Sequence, residues 1–335
     1  MKKTWFLLFL FLILHISVST VNKALGAKNE VLTNKKSPPA SYFHPSVIVK
    51  AQGDFQSVIV PLKRAGKLIL IDAIVDSIQG NLILDTGSAG MVLNSMYFRK
   101  TRRAGSQSSG GITGDVGVIS KYRIKKLAVS EAFYENFDAD MTDLGHLERS
   151  RNVRILGFFG LSMLRDFEVV IDLKNNLMEL HRLDRSGQRL NITFGQPSFD
   201  LILPASNMSD VLFVEASINR KKFLFCLDTG AESNVLSNQL PDKVLNTVTV
   251  TRRSTLLGVG SKKVNVFHGT MNDFSIGNHT MNGMPTIITS LSAMAHAYGL
   301  NIDGMLGCDF FEKGVFYIDL KRGRVGICFH KNQTE

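Results

Sequence analysis

Apolar residues along this chain fall into short blocks rather than long helical stripes. Runs rich in Val, Ile, Leu and Phe at 68–74, 81–84, 116–120, 167–172, 211–218, 223–227, 263–267, 286–289 and 315–319 predict strands. Their β-branched and aromatic content fits sheets buried on at least one face. Helical patterning is confined to 292–298 and to short stretches just after Gly160 and Gly307. The sequences SIQG at 77–80 and INRK at 218–221 read as hairpin turns, each ahead of a strand. Those two strands close in an unusual way. LILDTGSAG at 82–90 and FLFCLDTGA at 223–231 both run from apolar residues into Asp-Thr-Gly. Asp is depleted in strands, and a carboxylate at the end of a buried one costs free energy.

The recurrence belongs to a longer internal repeat. With Pro61 set over Pro204, an offset of 143, VIVP (58–61) faces LILP (201–204) and the two Asp-Thr-Gly triplets coincide. Met91-Val92-Leu93 then falls on Asn234-Val235-Leu236 without a gap. Farther on the offset is 147: GFFGLSML (157–164) faces GMLGCDFF (304–311), and VIDLK (170–174) faces YIDLK (317–321). A period this long, occurring twice, indicates two homologous lobes rather than a solenoid. Lobe boundaries are expected at 53–183 and 199–330, joined by a polar linker at 184–198. Residues 28–52 read as an extended lead-in or a propeptide.

The paired Asp-Thr-Gly loops, each followed by two large apolar residues and a Gly (Phe158-Phe159-Gly160 and Met305-Leu306-Gly307), resemble the aspartic peptidases of the pepsin and retropepsin kind. IDGMLGCDFF at 302–311, followed by YIDL, is similar to the C-terminal end of bacterial retropepsin-like domains. The resemblance covers both lobes, with spacing closer to the compact retropepsin unit. It implies an all-β, bilobal pepsin-like fold, with two β-barrel-like lobes and the active site between them. It further implies an aspartic endopeptidase that needs no cofactor and no metal, acting on a peptide or protein substrate. Asp85 and Asp228 would be its catalytic pair. Thr86 and Thr229 would lock the two loops together, and Gly87 and Gly230 would allow the backbone to pass close beneath the carboxylates. The chemistry agrees with the residue types. Two carboxylates in contact do not both ionise; sharing one proton, the pair offers a base and an acid together.

The two loops differ directly after the glycine, where Ser88 stands opposite Ala231. A hydroxyl that hydrogen-bonds Asp85 would favour its ionised form, so Asp85 is expected to ionise first and Asp228 to hold the shared proton. GGITGDVG at 110–117 lies where the family places a flap hairpin, with LLGVGSKK at 256–263 as its counterpart. Gly110, Gly111, Gly114, Gly258 and Gly260 are accordingly flap candidates; ordinary Gly-rich turns are the other reading. Tyr122 stands too far along the strand to serve as a flap tyrosine. A second function class also fits the frame: a pepsin-like fold kept as a peptide- or protein-binding module without turnover.

Composition changes this picture in few places. The chain has 335 residues, 44% hydrophobic and 20% charged, which suits a large globular core. Its net charge of +10 is spread over isolated basic pairs such as Arg102–Arg103 and Arg252–Arg253, so no nucleic-acid surface is expected. Residues 1–27 read as an export signal: Lys2 and Lys3, an apolar run at 5–18, then small residues to Ala27. An uncleaved N-terminal anchor is the other reading, though the run is short for a span of about 20 residues. Cleavage predicts a periplasmic or secreted protein with no stable membrane insertion, monomeric, its two lobes forming an internal pseudo-dimer. Three cysteines, Cys226, Cys308 and Cys328, leave either buried thiols or one disulfide of unknown pairing. HExxH and GxSxG are missing from the sequence. A calcium loop at Asp138, Asp140 and Asp143 fails, because Asp143 occupies the position of the sharp-turn Gly. The histidines lie apart, and four Asn-x-Ser/Thr sites (Asn191, Asn207, Asn278, Asn332) matter only in a glycosylating host.

Overall fold

The computed structural model describes residues 49–98, 110–111, 114–115, 120–208, 210–257, 263–298 and 300–331. Strands dominate, arranged as two lobes on a shared sheet, the all-β bilobal pepsin-like frame. In the first lobe Leu68–Val75, Ile78–Asp85, Ile155–Gly160, Val92–Asn94, Ala132–Thr142 and Ser120–Val129 follow one another edge to edge. Leu68–Val75 also pairs with Ser120–Val129, which closes six strands into a barrel with no free edge. The second lobe repeats the arrangement with Val211–Ile218, Lys221–Leu227, Gly304–Leu306, Asn234–Ser237, Met284–Thr289 and Lys263–Met271. It remains a half-barrel: its counterpart of the closing strand is broken into Lys263–Met271 and Phe274–Ile276 around Asp273, whose φ is +54°.

Beneath the lobes lies a six-stranded antiparallel platform, three strands from each lobe. Its order is Leu201–Pro204, Arg324–Phe329, Gly314–Asp319, Phe167–Asp172, Leu177–Arg182, Ser57–Ala65. At its centre Phe167–Asp172 pairs with Gly314–Asp319, and Val170 faces Tyr317, its own repeat equivalent. The pseudo-twofold axis relating the lobes therefore crosses the platform at that pair. Alternation along Ser57–Ala65 buries Val58, Val60 and Leu62 and leaves Ile59 outward.

The two Asp strands lie deepest. Leu82, Ile83, Leu84 and Asp85 are all buried, as are Phe225, Cys226, Leu227 and Asp228. Both faces of these strand ends are covered, which explains their continuous apolar runs. Each fully buried Leu, Ile or Phe contributes about 1.5–3 kcal/mol, and this burial holds the carboxylates at the strand ends. The helix Ser292–Tyr298 forms where its pattern predicts. The turn after Gly160 is the short 3-10 helix Leu161–Leu164, and that after Gly307 is the single helical turn Cys308–Phe311. Most of the run at 116–120 lies outside the described residues. No described helix is long and apolar enough to cross a membrane.

Candidate active site

Each Asp strand runs parallel to the apolar-apolar-Gly segment that follows it in sequence. Ile78–Asp85 pairs with Ile155–Gly160, placing Asp85 beside Gly160; Lys221–Leu227 pairs with Gly304–Leu306. The Val92–Asn94 and Asn234–Ser237 strands flank those segments on the other side, antiparallel. Each Asp loop is thus pinned from the neighbouring segment. Leu161 N–H donates to Ser88 O at 2.8 Å, and Cys308 N–H donates to Ala231 O at 2.7 Å.

The two loops meet across the pseudo-twofold axis. Thr86 Oγ1 donates to Leu227 O at 2.8 Å and accepts from Thr229 N–H at 3.0 Å. Thr229 Oγ1 reciprocates, donating to Leu84 O at 2.8 Å and accepting from Thr86 N–H at 3.0 Å. All four backbone groups at the loop ends are satisfied by the opposite lobe, with both threonines buried. This lock carries Asp85 and Asp228 into contact. A Cβ built on Gly87 would come 2.4 Å from Asp228 Cγ, and one on Gly230 would come 2.6 Å from Asp85 Cγ. Only glycine leaves room there for the opposing carboxylate.

Each carboxylate accepts a short backbone hydrogen bond from the glycine of its own loop: Gly87 N–H to Asp85 Oδ1 at 2.9 Å, Gly230 N–H to Asp228 Oδ1 at 2.8 Å. The other oxygen of each, Oδ2, is buried and has no hydrogen-bonding protein partner. Burial pushes the Asp85 carboxyl well above the usual carboxylate range, and the charge of Asp228 pushes it further. Burial also raises Asp228, but only to about 6, because Asp85 and the N–H groups of Gly230, Ala231 and Gly87 hydrogen-bond to it. Both carboxyls are held above the usual carboxylate range, and sharing one proton relieves the repulsion between them.

The hydrogen bond from the Ser88 hydroxyl to Asp85, on which the expected order of ionisation rested, is not formed. That hydroxyl turns away from Asp85 and donates to Gly90 O at 3.1 Å. Directly beneath, Cys226 is a buried free thiol, raised by burial and by both nearby carboxyls. Cys308 and Cys328 are also free.

A contact with no signal in the motif joins the lobes one residue farther on. Glu232, buried, pairs with Arg151 of the first lobe at 2.6 Å. Burial pushes its carboxyl up to about 7 while Arg151 and Lys67 pull it down. Its repeat equivalent is Ala89, and that mismatch was the one trace in the sequence.

Of the flap candidates, Gly110–Gly111 pairs with Gly114–Asp115 in a two-stranded ribbon lying against the second-lobe helix Ser292–Tyr298. Gly258 and Gly260 fall outside the described residues. Tyr122 is bonded to Asp76 at 2.8 Å, in the turn at the start of the strand Ile78–Asp85. That places its hydroxyl at the opposite end of the strand from Asp85. Asp143 accepts from Gly145 N–H at 2.8 Å at the start of the helix Gly145–Arg151. No group of His, Cys, Asp and Glu among the described residues is arranged to hold a metal ion. A cavity of about 290 Å³ is lined by Ser57, Val58, Ile59, Glu131, Glu179, His181 and Phe194, none of them in the Asp loops.

Residues 214–310 match the family model described as aspartyl protease. The match takes in Asp228 and the Met305-Leu306-Gly307 segment and leaves the first lobe outside. No curated protein matches the chain. Among solved structures, the crystal structure of an aspartic proteinase from Irpex lacteus aligns over 83% of this chain and 98% of its own, at 12% identity and a TM-score of 0.48. Residues 214–310 are thus similar to aspartyl protease sequence, and the frame that holds both lobes is all-β and bilobal.

Proposed function

We propose that the chain is an exported aspartic endopeptidase in which Asp85 and Asp228 hydrolyse peptide bonds without metal or cofactor. One observation carries this reading: two buried carboxylates are forced together by a reciprocal threonine lock, each with one oxygen left unbonded. Such an arrangement costs free energy through burial and like charge. A shared proton relieves the repulsion, and the same proton is what hydrolysis uses.

In the proposed step a water between the carboxyls gives a proton to ionised Asp228 as its oxygen attacks the scissile carbonyl carbon. Asp85 passes its proton to the carbonyl oxygen, giving a neutral tetrahedral diol. Collapse returns a proton from a diol hydroxyl to Asp85, while Asp228 protonates the leaving nitrogen, which restores the starting charge. An extended substrate would lie between the lobes, its backbone pairing with the cleft edges. The paired strands Gly110–Gly111 and Gly114–Asp115, which lie against Ser292–Tyr298, would help to cover it. Signal removal near Ala27, lobes at 53–183 and 199–330 and a monomeric chain complete the proposal.

The test is cleavage of a peptide library from about pH 3 to pH 7, with Asp85→Asn and Asp228→Asn as controls. Turnover lost in both variants, with circular dichroism unchanged, is the expected result. Library peptides that bind folded wild-type protein but stay intact across that range would overturn it and favour a binding module.

A further inference from the structure

Four ion pairs cross between the lobes among the described residues, and all four have the same polarity. Arg64 of the first lobe meets Glu312 of the second at 2.8 Å, and Lys67 meets Asp309. Arg151 meets Glu232 at 2.6 Å, and Arg165 meets Asp210. Every base comes from the first lobe and every acid from the second. Other ion pairs, such as Lys63–Asp72 and Lys222–Glu215, stay within one lobe and follow no such rule.

The repeat gives this polarity a meaning. Lys67 sits at the tip between Ser57–Ala65 and Leu68–Val75; its equivalent at the second-lobe tip, by the 143-residue offset, is Asp210. Glu312, which receives the first tip, corresponds by the 147-residue offset to Arg165, which receives the second. The pseudo-twofold axis thus relates two tip-to-lobe contacts of the same geometry and opposite charge. A copy of the first lobe in place of the second would set Arg64 and Lys67 against Arg165, and Arg151 against Ala89. A copy of the second in place of the first would set Asp210 against Glu312 and Asp309. Either pairing juxtaposes like charges: Arg64, Arg165 and Asp210 are 23%, 27% and 21% exposed and Asp309 only 5%, with Lys67 and Glu312 more open at 40% and 44%. Water screens the inner contacts, at Arg165, Asp210 and Asp309, less than those at Lys67 and Glu312.

We propose that this interface is a polarised clasp, selective for one partner: the first lobe accepts a second lobe and rejects another first lobe. Duplicated halves carrying the same threonine lock would otherwise pair with themselves as well as with each other. Repulsion at the tips supplies the discrimination. The clasp stands on contacts outside the carboxylate pair and holds whether or not the protein turns over substrate.

Two measurements on the whole chain test it. In a double-mutant cycle, Arg165→Asp and Asp210→Arg are each expected to lower the urea midpoint at low salt. Arg165→Asp/Asp210→Arg, with the pair re-formed in reverse, is expected to recover at least half of the summed loss, and the losses are expected to shrink in 1 M NaCl. A double variant as unstable as the sum of its singles would overturn the pairing. Second, a protease site placed at 190–195 in the exposed linker allows the folded chain to be nicked, separated briefly in high salt and returned to low salt. Native mass spectrometry is expected to find first-with-second pairs exceeding like pairs at least tenfold; the statistical mixture of pairs would overturn the selectivity.

Discussion

Thr86→Ala tests the lock that brings the two Asp loops together. The substitution removes one hydroxyl that serves two backbone groups of the other lobe, Leu227 C=O and Thr229 N–H. Both lie in a buried region, since Leu227 is 0% and Thr229 1% exposed. A buried backbone group left without its partner costs about 1–3 kcal/mol. Two such groups set the expected loss at about 2–6 kcal/mol, a large part of the 5–15 kcal/mol that holds most domains folded. Thr86→Ser keeps the hydroxyl and removes a methyl, and is expected to cost only about 1 kcal/mol. Urea unfolding followed by intrinsic fluorescence and far-UV circular dichroism gives both numbers, and non-coincident transitions would report lobes that separate before they unfold. Thr229→Ala is expected to behave like Thr86→Ala, because its bonds are the mirror set. The double variant is expected to lose about the sum, since the two hydroxyls serve different backbone groups. Equal losses for Thr86→Ala and Thr86→Ser would refute the reasoning, because packing and not the hydroxyl would then explain the effect.

Two further outcomes follow from buried charge. Asp228 is raised from an ordinary carboxylate value to about 6 in the folded protein, so the folded state holds more protons than the unfolded one between about pH 4 and 6. Its contribution is fully present below pH 4 and lost as pH rises through 6, at up to about 1.4 kcal/mol per pH unit; urea midpoints that fall over this window in wild type and flatten in Asp228→Asn are expected, and an unchanged slope would contradict the raised value. In the linker, Arg189 pairs with Glu168 at 3.0 Å with side chains 6% and 1% exposed, so Arg189→Ala strands a buried carboxylate and is expected to cost about 3–5 kcal/mol by thermal unfolding. Glu168→Leu/Arg189→Met, which removes both charges, is expected to cost clearly less.

The parts legible in the sequence are those the repeat makes redundant. Asp-Thr-Gly at equal offsets located both loops, and the apolar-apolar-Gly segments located the strands that run beside them. The Phe167–Asp172 and Val211–Ile218 strands have the predicted bounds because their apolar runs are unbroken. The hairpin formed by Ser120–Val129 and Ala132–Thr142 was less visible. Its core residues, Ile124, Leu127, Val129, Tyr134 and Phe137, are interleaved with Lys125, Lys126, Glu131 and Glu135, so charge obscures the apolar face. The Ser88 hydroxyl was misjudged for a different reason. Its direction depends on which acceptor its rotamer reaches, and Gly90 O is two residues away in its own loop.

Cross-lobe contacts were invisible for a physical reason as well. Arg64 and Glu312 are separated by 248 residues, and only the folded pseudo-twofold axis brings them together. Yet once the axis is known, the repeat alignment tells which differences between the halves matter. Ser88 against Ala231 lies beside the carboxylates and leaves the proton's position unexplained, because the hydroxyl never reaches Asp85. Lys67 against Asp210, Arg165 against Glu312 and Ala89 against Glu232 lie at the lobe interface, and each changes the sign or presence of a charge where the halves touch. The residues of the lock itself, Thr86 with Thr229 and Gly87 with Gly230, are identical in both copies, since a symmetric contact needs the same group from each side. Divergence has therefore collected where symmetry is a liability, in the choice of partner, and has spared the place where geometry demands it.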